Sequence, residues 1–140
     1  MVARITYGRN IVGVLEYNKL KVDKETAGVL CCHKLPVVPL DGKFDFRALA
    51  EAFSPYLTYP QSRLSNPVFH ASLNPHPKDR LSDARLIEIA HEYMKRMGYG
   101  DQPFVVFKHE DIARSHLHIV STCIGPDGKT IDRYNDRKRS

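Results

Sequence analysis

Two alternating segments near the C-terminal end restrict the fold of this chain more than any other feature. Residues 103–109 and 116–123 are rich in β-branched and aromatic residues, and six mostly polar or small residues separate them. Such residues favour strands, and a short polar connection lets the second segment pair with the first. The pattern predicts a β-hairpin and therefore a sheet that is at least partly antiparallel.

The predicted hairpin brings three histidines to one place. His116 and His118 alternate along the second strand, so their side chains leave the same face roughly 6–7 Å apart. His109 ends the first strand, and pairing of the two strands makes it a neighbour of His116. Three imidazoles at this spacing can hold one divalent metal ion. The alternative is a pair of half-exposed histidines without a ligand role.

Asp111 lies between these histidines in the sequence and has two interpretations. As a turn residue, it would bond to the nearby backbone of the connection. As the partner of a ligating histidine, it would accept the ring N–H that faces away from the metal and so orient the ring. We favour the second interpretation.

The rest of the sequence alternates between strand-like and helix-like segments. Short runs that favour strands occupy residues 2–6, 28–33 and 67–73, and one more short strand is predicted at 129–131. Three helices are predicted, beginning at Ile11, at Phe46 and after Ser82, with Asn10, Asp45 and Ser82 as capping side chains. The third helix is expected to run to Met97 and to end at Gly98.

The first helix is expected to be short. Residues 19–26 are charged and predict a loop, and Gly13 is expected to mark the close approach of another backbone. One face of this helix is formed by Ile11, Val14, Leu15 and Asn18.

The element order favours an α+β fold with a central, mainly antiparallel β-sheet and helices packed on one face. Leu117 and Ile119 point away from the two histidines of their strand, because side chains alternate along a strand. The apolar side of the hairpin can therefore carry the helices. The histidines are expected on the opposite, open face, where a substrate can bind.

Length and composition predict one domain over residues 1–140, and its abruptly ending polar tail suggests the N-terminal part of a longer protein. No apolar run approaches the roughly 18 residues of a membrane helix, and nothing suggests secretion. The three cysteines lack a zinc-binding spacing and are expected to be reduced, which favours a cytoplasmic protein. The net charge of +5 permits a polyanionic partner.

Tyr17, on the flank of the first helix, is either a partly buried core residue or a nucleophile. Tyrosine is a weak nucleophile at neutral pH unless a metal or a base helps it to ionise, so the second interpretation depends on the predicted metal site. Tyr7 is the weaker alternative. His70 and Ser72 share a strand face and either border the site or satisfy local hydrogen bonds.

Together these residues resemble the relaxases, the mobilisation nucleases of the HUH endonuclease superfamily. The segment His109-x-Asp111-x4-His116-x-His118 resembles their metal motif, and residues 14–19 resemble their nucleophile motif. Residues 69–75 and the predicted third helix are similar to the middle region of that family. The resemblance extends over nearly all of the chain.

The resemblance implies an enzyme that nicks and rejoins one strand of DNA at an origin of transfer, through a 5′-phosphotyrosine intermediate. By position, Tyr17 would be the nucleophile, and Asp111 would orient His109 or help to take the tyrosine proton. The metal, Mg²⁺ or Mn²⁺, would be held by His109, His116 and His118.

The implied partner is single-stranded or hairpin DNA, with accessory mobilisation proteins as further partners. Candidate DNA contacts are His70, Ser72 and Arg114. One position departs from the family, because Thr122 stands where many relatives carry an asparagine.

Two other functions stay open from the sequence. A histidine-triad-like nucleotidyl hydrolase or transferase would need a third alternating histidine, and this chain has Val120 at that position. A non-catalytic module that binds single-stranded nucleic acid would need aromatic residues on the open face, where the candidates are Phe107 and Phe69.

Overall fold

Five strands and three α-helices make up the part of the chain that the computed structural model describes, which is residues 2–37, 39, 43–57, 65–76, 78–110, 115–125, 128 and 130–133. The strands are β1 (Val2–Gly8), β2 (Ala27–His33), β3 (Val68–Asn74), β4 (Phe104–His109) and β5 (His116–Thr122). The helices are α1 (Ile11–Asp23), α2 (Phe46–Phe53) and α3 (Asp83–Arg96), and a 3₁₀ turn, Ser54–Tyr56, follows α2.

The strands form one sheet in the order β1-β3-β5-β4-β2, and every neighbouring pair is antiparallel. The predicted β4–β5 pairing is confirmed, with His109 directly opposite His116. On the other side of β5, Ser72 of β3 lies opposite His118. The histidine strand is therefore at the centre of the sheet, and β1 and β2 form its two edges.

Alternation of side chains divides the core into two parts, one on each face of the sheet. On the first face, α3 packs against the strands, and this part contains Phe69, Leu73, Leu86, Met94, Phe104, Val106, Leu117 and Ile119. On the second face, α1 and α2 pack against the strands, and this part contains Ile11, Leu15, Leu49, Phe53, Val68, Val105, Phe107 and Val120. Burial of apolar surface on both faces stabilises the sheet between the two layers.

The predicted α+β class and mainly antiparallel sheet are confirmed. The helices were expected on one face of the sheet, opposite the histidines. Helix α3 lies on that face, whereas α1 and α2 lie on the face that also carries the histidines. The physical reason is the alternation of side chains along β4 and β5, which places Val105, Phe107 and Val120 on the histidine face. These apolar side chains are buried from water by α1 and α2. Helices α1 and α2 therefore cover part of the histidine face.

The predicted helix caps are confirmed. The side chains of Asn10, Asp45 and Ser82 accept hydrogen bonds from backbone N–H groups in the first turns of α1, α2 and α3. After α3, Gly98 adopts φ +89°, the left-handed conformation expected of a glycine that ends a helix.

Two predicted boundaries were wrong. Helix α1 continues to Asp23 through part of the expected loop at 19–26, because Val22 extends the buried stripe of the helix and Lys19 pairs with Asp23 at 2.8 Å. Of the strand expected at 129–131, residues 130 and 131 show only an isolated bridge between Ile124 and Thr130, and Lys129 lies outside the described residues. Within the described residues, no helix has the length and apolar character needed to cross a membrane.

Gly13 does not lie close to another backbone, since a Cβ atom added there would meet no atom within 4 Å. We expect Gly13→Ala to raise the free energy of unfolding by about 0.5–1 kcal/mol, because alanine loses less conformational freedom in a helix. Gly98→Ala is the contrasting variant and should lower it by about 1 kcal/mol, because of the positive φ. Denaturant titration measures both, and a destabilised Gly13→Ala protein would contradict the open surroundings of Gly13.

Candidate metal centre and active site

The three predicted histidines form a compact cluster where β4 ends and β5 begins. Each of His109, His116 and His118 offers one ring nitrogen, and these atoms all lie within 4.8 Å of one another. The ring centroids of His109 and His118 are 4.0 Å apart, and that of His116 lies 5.3 Å from His109. The cluster follows directly from the strand register, which pairs His109 with His116.

Asn18 holds His109 in place from helix α1. Its side-chain Nδ2 donates to the carbonyl oxygen of Val14, at 2.9 Å, so its Oδ1 is the atom that faces His109 Nε2 at 2.8 Å. Oδ1 can only accept, and His109 therefore donates from Nε2. A neutral His109 in this tautomer carries its lone pair on Nδ1. Asn18 is fully buried, which makes the contact strong and its loss costly.

His118 has a neighbouring imidazole, that of His70 on strand β3. Nε2 of His70 lies 2.8 Å from Nδ1 of His118, and Nδ1 of His70 lies 3.3 Å from the hydroxyl of Thr6 on β1. Burial lowers the pKa of His70, which favours the neutral form of its ring. Both ring nitrogens of His70 thus have partners within the chain.

His116 provides the test of whether these residues suit a metal ion. Its Nδ1 atom is buried and has no hydrogen-bond partner among the described residues, and the residue is only 9% exposed. A buried nitrogen without a partner costs about 1–3 kcal/mol, so such an atom indicates a missing ligand. Together with two histidines held by Asn18 and His70, this atom completes a donor set of three imidazoles. The residues fit a divalent metal ion.

Tyr17 lies beside the cluster and is 52% exposed, outside both parts of the core. Its ring stacks over that of His109, with centroids 6.4 Å apart and an interplanar angle of 18°. Lys21, one turn further along α1, has its Nζ atom 5.8 Å from the centre of the Tyr17 ring. Of the two interpretations of Tyr17, a partly buried core residue fits this position poorly.

A cavity of about 280 Å³ lies next to Tyr17, between α1 and the edge of the sheet. Helix α1 contributes Gly13, Tyr17 and Asn18 to its wall, and the strands contribute Thr6 and His70. Tyr7, the competing tyrosine, also borders this cavity, but it belongs to the packing of the first face and makes an edge contact with Phe69.

Beyond the cavity, polar side chains cover the histidine face at the β1–β3 edge. Arg4 lies opposite Ser72, and Ser72 lies opposite His118, so all three project on the same face. Asn74 continues this row along β3 and donates to the Ser72 hydroxyl at 3.2 Å. We call Arg4, Ser72 and Asn74 the polar strip. It leads from an exposed arginine to the histidine cluster.

Two of the predicted site residues cannot be placed, and the position that departs from the family, Thr122, lies away from the histidine cluster. Asp111 and Arg114 lie outside the described residues. Thr122 is fully buried at the far end of β5, about 13 Å from His118 by the rise of a strand. Its hydroxyl donates to the Ile124 carbonyl, and Gln102 donates to both Thr122 oxygens, so this threonine stabilises the chain after β5.

Asn18, Thr6 and Arg4 lie at or near the site but were not among the site residues predicted from the sequence. Asn18 could have been recognised, because it lies on the apolar face of α1. A buried amide on such a face needs hydrogen-bond partners. Thr6 and Arg4 could not have been recognised, since only the pairing of β1 with β3 brings them to the site.

A comparison with models of known protein families identifies the family of this chain. Residues 17–140 match the relaxase family described as MobA/VirD2-like, nuclease domain, and the matched part includes Tyr17 and all three clustered histidines. No curated protein and no solved structure matches the chain significantly.

Asn18→Ala should weaken Mn²⁺ binding about 10–100-fold, because His109 loses the partner that orients it. The same change should lower the free energy of unfolding by about 1–3 kcal/mol. Asn10→Ala is the matched control, since it removes the cap of the same helix at a cost of about 1 kcal/mol without touching the histidines. Calorimetric titration measures metal affinity, and equal affinity in both variants would contradict the role of Asn18.

Proposed function

We propose a DNA-nicking function for this chain from the premise that it belongs to the relaxase family, as a nuclease domain of the MobA/VirD2-like kind. Domains of this family nick DNA during mobilisation, so the reaction class follows from the family. The finer proposal is site- and strand-specific nicking and rejoining at an origin of transfer. The observation that carries it is the stacking of Tyr17 against His109, one of the three clustered histidines.

Tyr17 is proposed as the nucleophile. Its phenolate oxygen bonds to the scissile phosphorus while the bond from phosphorus to the 3′ oxygen breaks. The 3′ oxygen takes up a proton, and the 5′ end of the DNA stays on the protein as a phosphotyrosine. Rejoining reverses these steps, because the 3′-hydroxyl attacks the phosphotyrosine and the phenol leaves. Asp111 is proposed to take the phenolic proton. To orient His109 instead, it would have to compete with Asn18, which already accepts the Nε2 proton of that ring.

The histidine cluster is proposed to hold Mg²⁺ or Mn²⁺. When bound, the ion would supply positive charge to the oxygens of the scissile phosphate. The chain's own contribution is to hold two of the three imidazoles in ligating orientation, through the contacts of Asn18 with His109 and of His70 with His118. The contact of Asn18 with His109 is buried and that of His70 with His118 is partly buried, so both rings are held in place before a metal ion binds.

The polar strip is proposed to carry the DNA strand to the cluster. Arg4 is exposed and its charge suits a backbone phosphate, while the Ser72 hydroxyl and the Asn74 amide can bond to phosphate or sugar oxygens. Arg114, outside the described residues, is proposed as a further DNA contact. Single-stranded DNA is the proposed partner, because a flexible strand can enter between α1 and the sheet edge.

The two rival functions find little support in the described residues. Val120, where a histidine-triad enzyme would need its third histidine, is fully buried in the core under α1. Phe107 and Phe69, the candidate stacking residues of a non-catalytic binding module, are also fully buried. Neither ring is available for stacking on a base.

The central test is a covalent adduct with DNA. Incubated with single-stranded oligonucleotides from its transfer origin and Mn²⁺, the protein should form an adduct that survives denaturing electrophoresis. Tyr17→Phe should abolish the adduct, since it removes the attacking oxygen, and chelation of the metal should reduce it strongly. Tyr7→Phe is the matched control, because Tyr7 borders the same cavity and should leave adduct formation nearly unchanged.

An adduct that persists in Tyr17→Phe and disappears in Tyr7→Phe would reverse the assignment of the nucleophile. An adduct that forms equally well without any divalent metal would remove the proposed role of the histidine cluster.

Arg4→Gln should weaken binding of single-stranded DNA and reduce the salt dependence of binding by about 0.7 in the slope of log K against log salt, the value expected for one lost phosphate contact. Arg96→Gln is the control, because Arg96 is also an exposed arginine but lies on α3, on the opposite face of the sheet. Fluorescence anisotropy at several salt concentrations measures the slope. An unchanged slope in Arg4→Gln would exclude the polar strip from the phosphate path.

A further inference from the structure

We propose that His70 is a positioning residue that fixes the tautomer and the ring orientation of His118, and that Thr6 in turn supports His70. The proposal deepens the function given above and rests on it in one respect, which is that His118 is a metal ligand. It assigns to His70 a role inside the protein rather than a contact with DNA.

The first step in the argument is the short distance between the two imidazoles. Nε2 of His70 and Nδ1 of His118 are 2.8 Å apart, and the ring centroids are 5.0 Å apart. Two nitrogens at this distance share a hydrogen bond, so one of them carries the proton and the other presents its lone pair. The bond therefore couples the tautomers of the two rings.

The second step decides the direction of that bond. If His70 donated, a neutral His118 would carry its own proton on Nε2 and would have no lone pair there for a metal. If His118 donates from Nδ1, its lone pair lies on Nε2 and the ring can ligate. His70 then holds its proton on Nδ1, where the hydroxyl oxygen of Thr6 lies 3.3 Å away and can accept it. Metal binding through Nε2 of His118 requires the second arrangement.

The third step concerns the register that makes this chain of contacts possible. Thr6 lies opposite His70 across β1 and β3, and Ser72 lies opposite His118 across β3 and β5. His70 is thus a diagonal neighbour of His118 on the same face, at a distance that long or aromatic side chains bridge. The support for His118 passes across two strand pairs and involves no described loop.

An imidazole in this role differs from the carboxylate that often orients a ligating histidine. A carboxylate would add a negative charge close to the phosphate that the site is proposed to bind, and like charges at short distance repel. His70 accepts the same hydrogen bond without that charge. The site can therefore retain its attraction for an anionic substrate.

The test uses two variants that separate the two nitrogens of His70. His70→Gln places an amide oxygen near the former Nε2, where it can accept from His118, whereas His70→Asn reaches only as far as the former Nδ1 and Thr6. We expect His70→Asn to weaken Mn²⁺ binding about 10–100-fold in calorimetric titration without DNA. His70→Gln should retain most of the affinity.

A second measurement needs no variant. Nitrogen NMR of the metal-free protein distinguishes the protonated from the lone-pair nitrogen of each ring, and we expect the proton of His118 on Nδ1 and that of His70 on Nδ1. In His70→Asn, this preference of His118 for the Nδ1 proton should be lost, and in His70→Gln it should persist.

Wild-type affinity in His70→Asn, equal losses in both variants, or a His118 proton found on Nε2 in the wild type would each overturn the proposal. Tyr17→Phe separates this inference from the proposed nuclease function, because it should keep the metal affinity and the tautomers while the DNA adduct is lost. A protein that forms no adduct but shows the expected tautomers and affinities would refute the nuclease function alone.

Discussion

The register between β4 and β5 is the constraint on which the rest of the site depends. With His109 opposite His116, three imidazoles meet on one face. A slip of one residue would move His116 and His118 to the other face and would also exchange the side chains that pack against the two helical layers. The apolar residues on both faces of β5 oppose such a slip, because Leu117 and Ile119 pack under α3 while Val120 packs under α1 and α2. The same packing that stabilises the sheet therefore holds the ligands together.

Much of this arrangement could be predicted from local patterns. The alternation of side chains in residues 104–109 and 116–122 predicts both the hairpin and the histidine cluster. The helix caps at Asn10, Asp45 and Ser82 can be recognised from single side chains. The hairpin could be predicted because its two strands are close in sequence. The length of α1 could not be predicted, because its last turn depends on the burial of Val22 in the core.

The contacts that support the cluster could not be predicted in the same way. His109 and Asn18 are far apart in the chain, and so are His118 and His70. Their partnership depends on where α1 crosses the sheet and on the order of the strands, which no single segment encodes. The distribution of helices over both faces has the same origin, since it depends on the burial of Val105 and Phe107 as well as of Leu117 and Ile119.

Helix α1 carries two neighbouring residues that face in different directions. Tyr17 is half exposed beside the histidines, and Asn18 is fully buried against His109. Since the backbone of a helix is stiff over one turn, a displacement of α1 would move both residues together. The distance between the phenol and the histidine cluster is thereby set by one rigid segment instead of by a connecting loop. A tilt of this single helix would therefore change the positions of the attacking tyrosine and of the asparagine that supports one ligand at the same time.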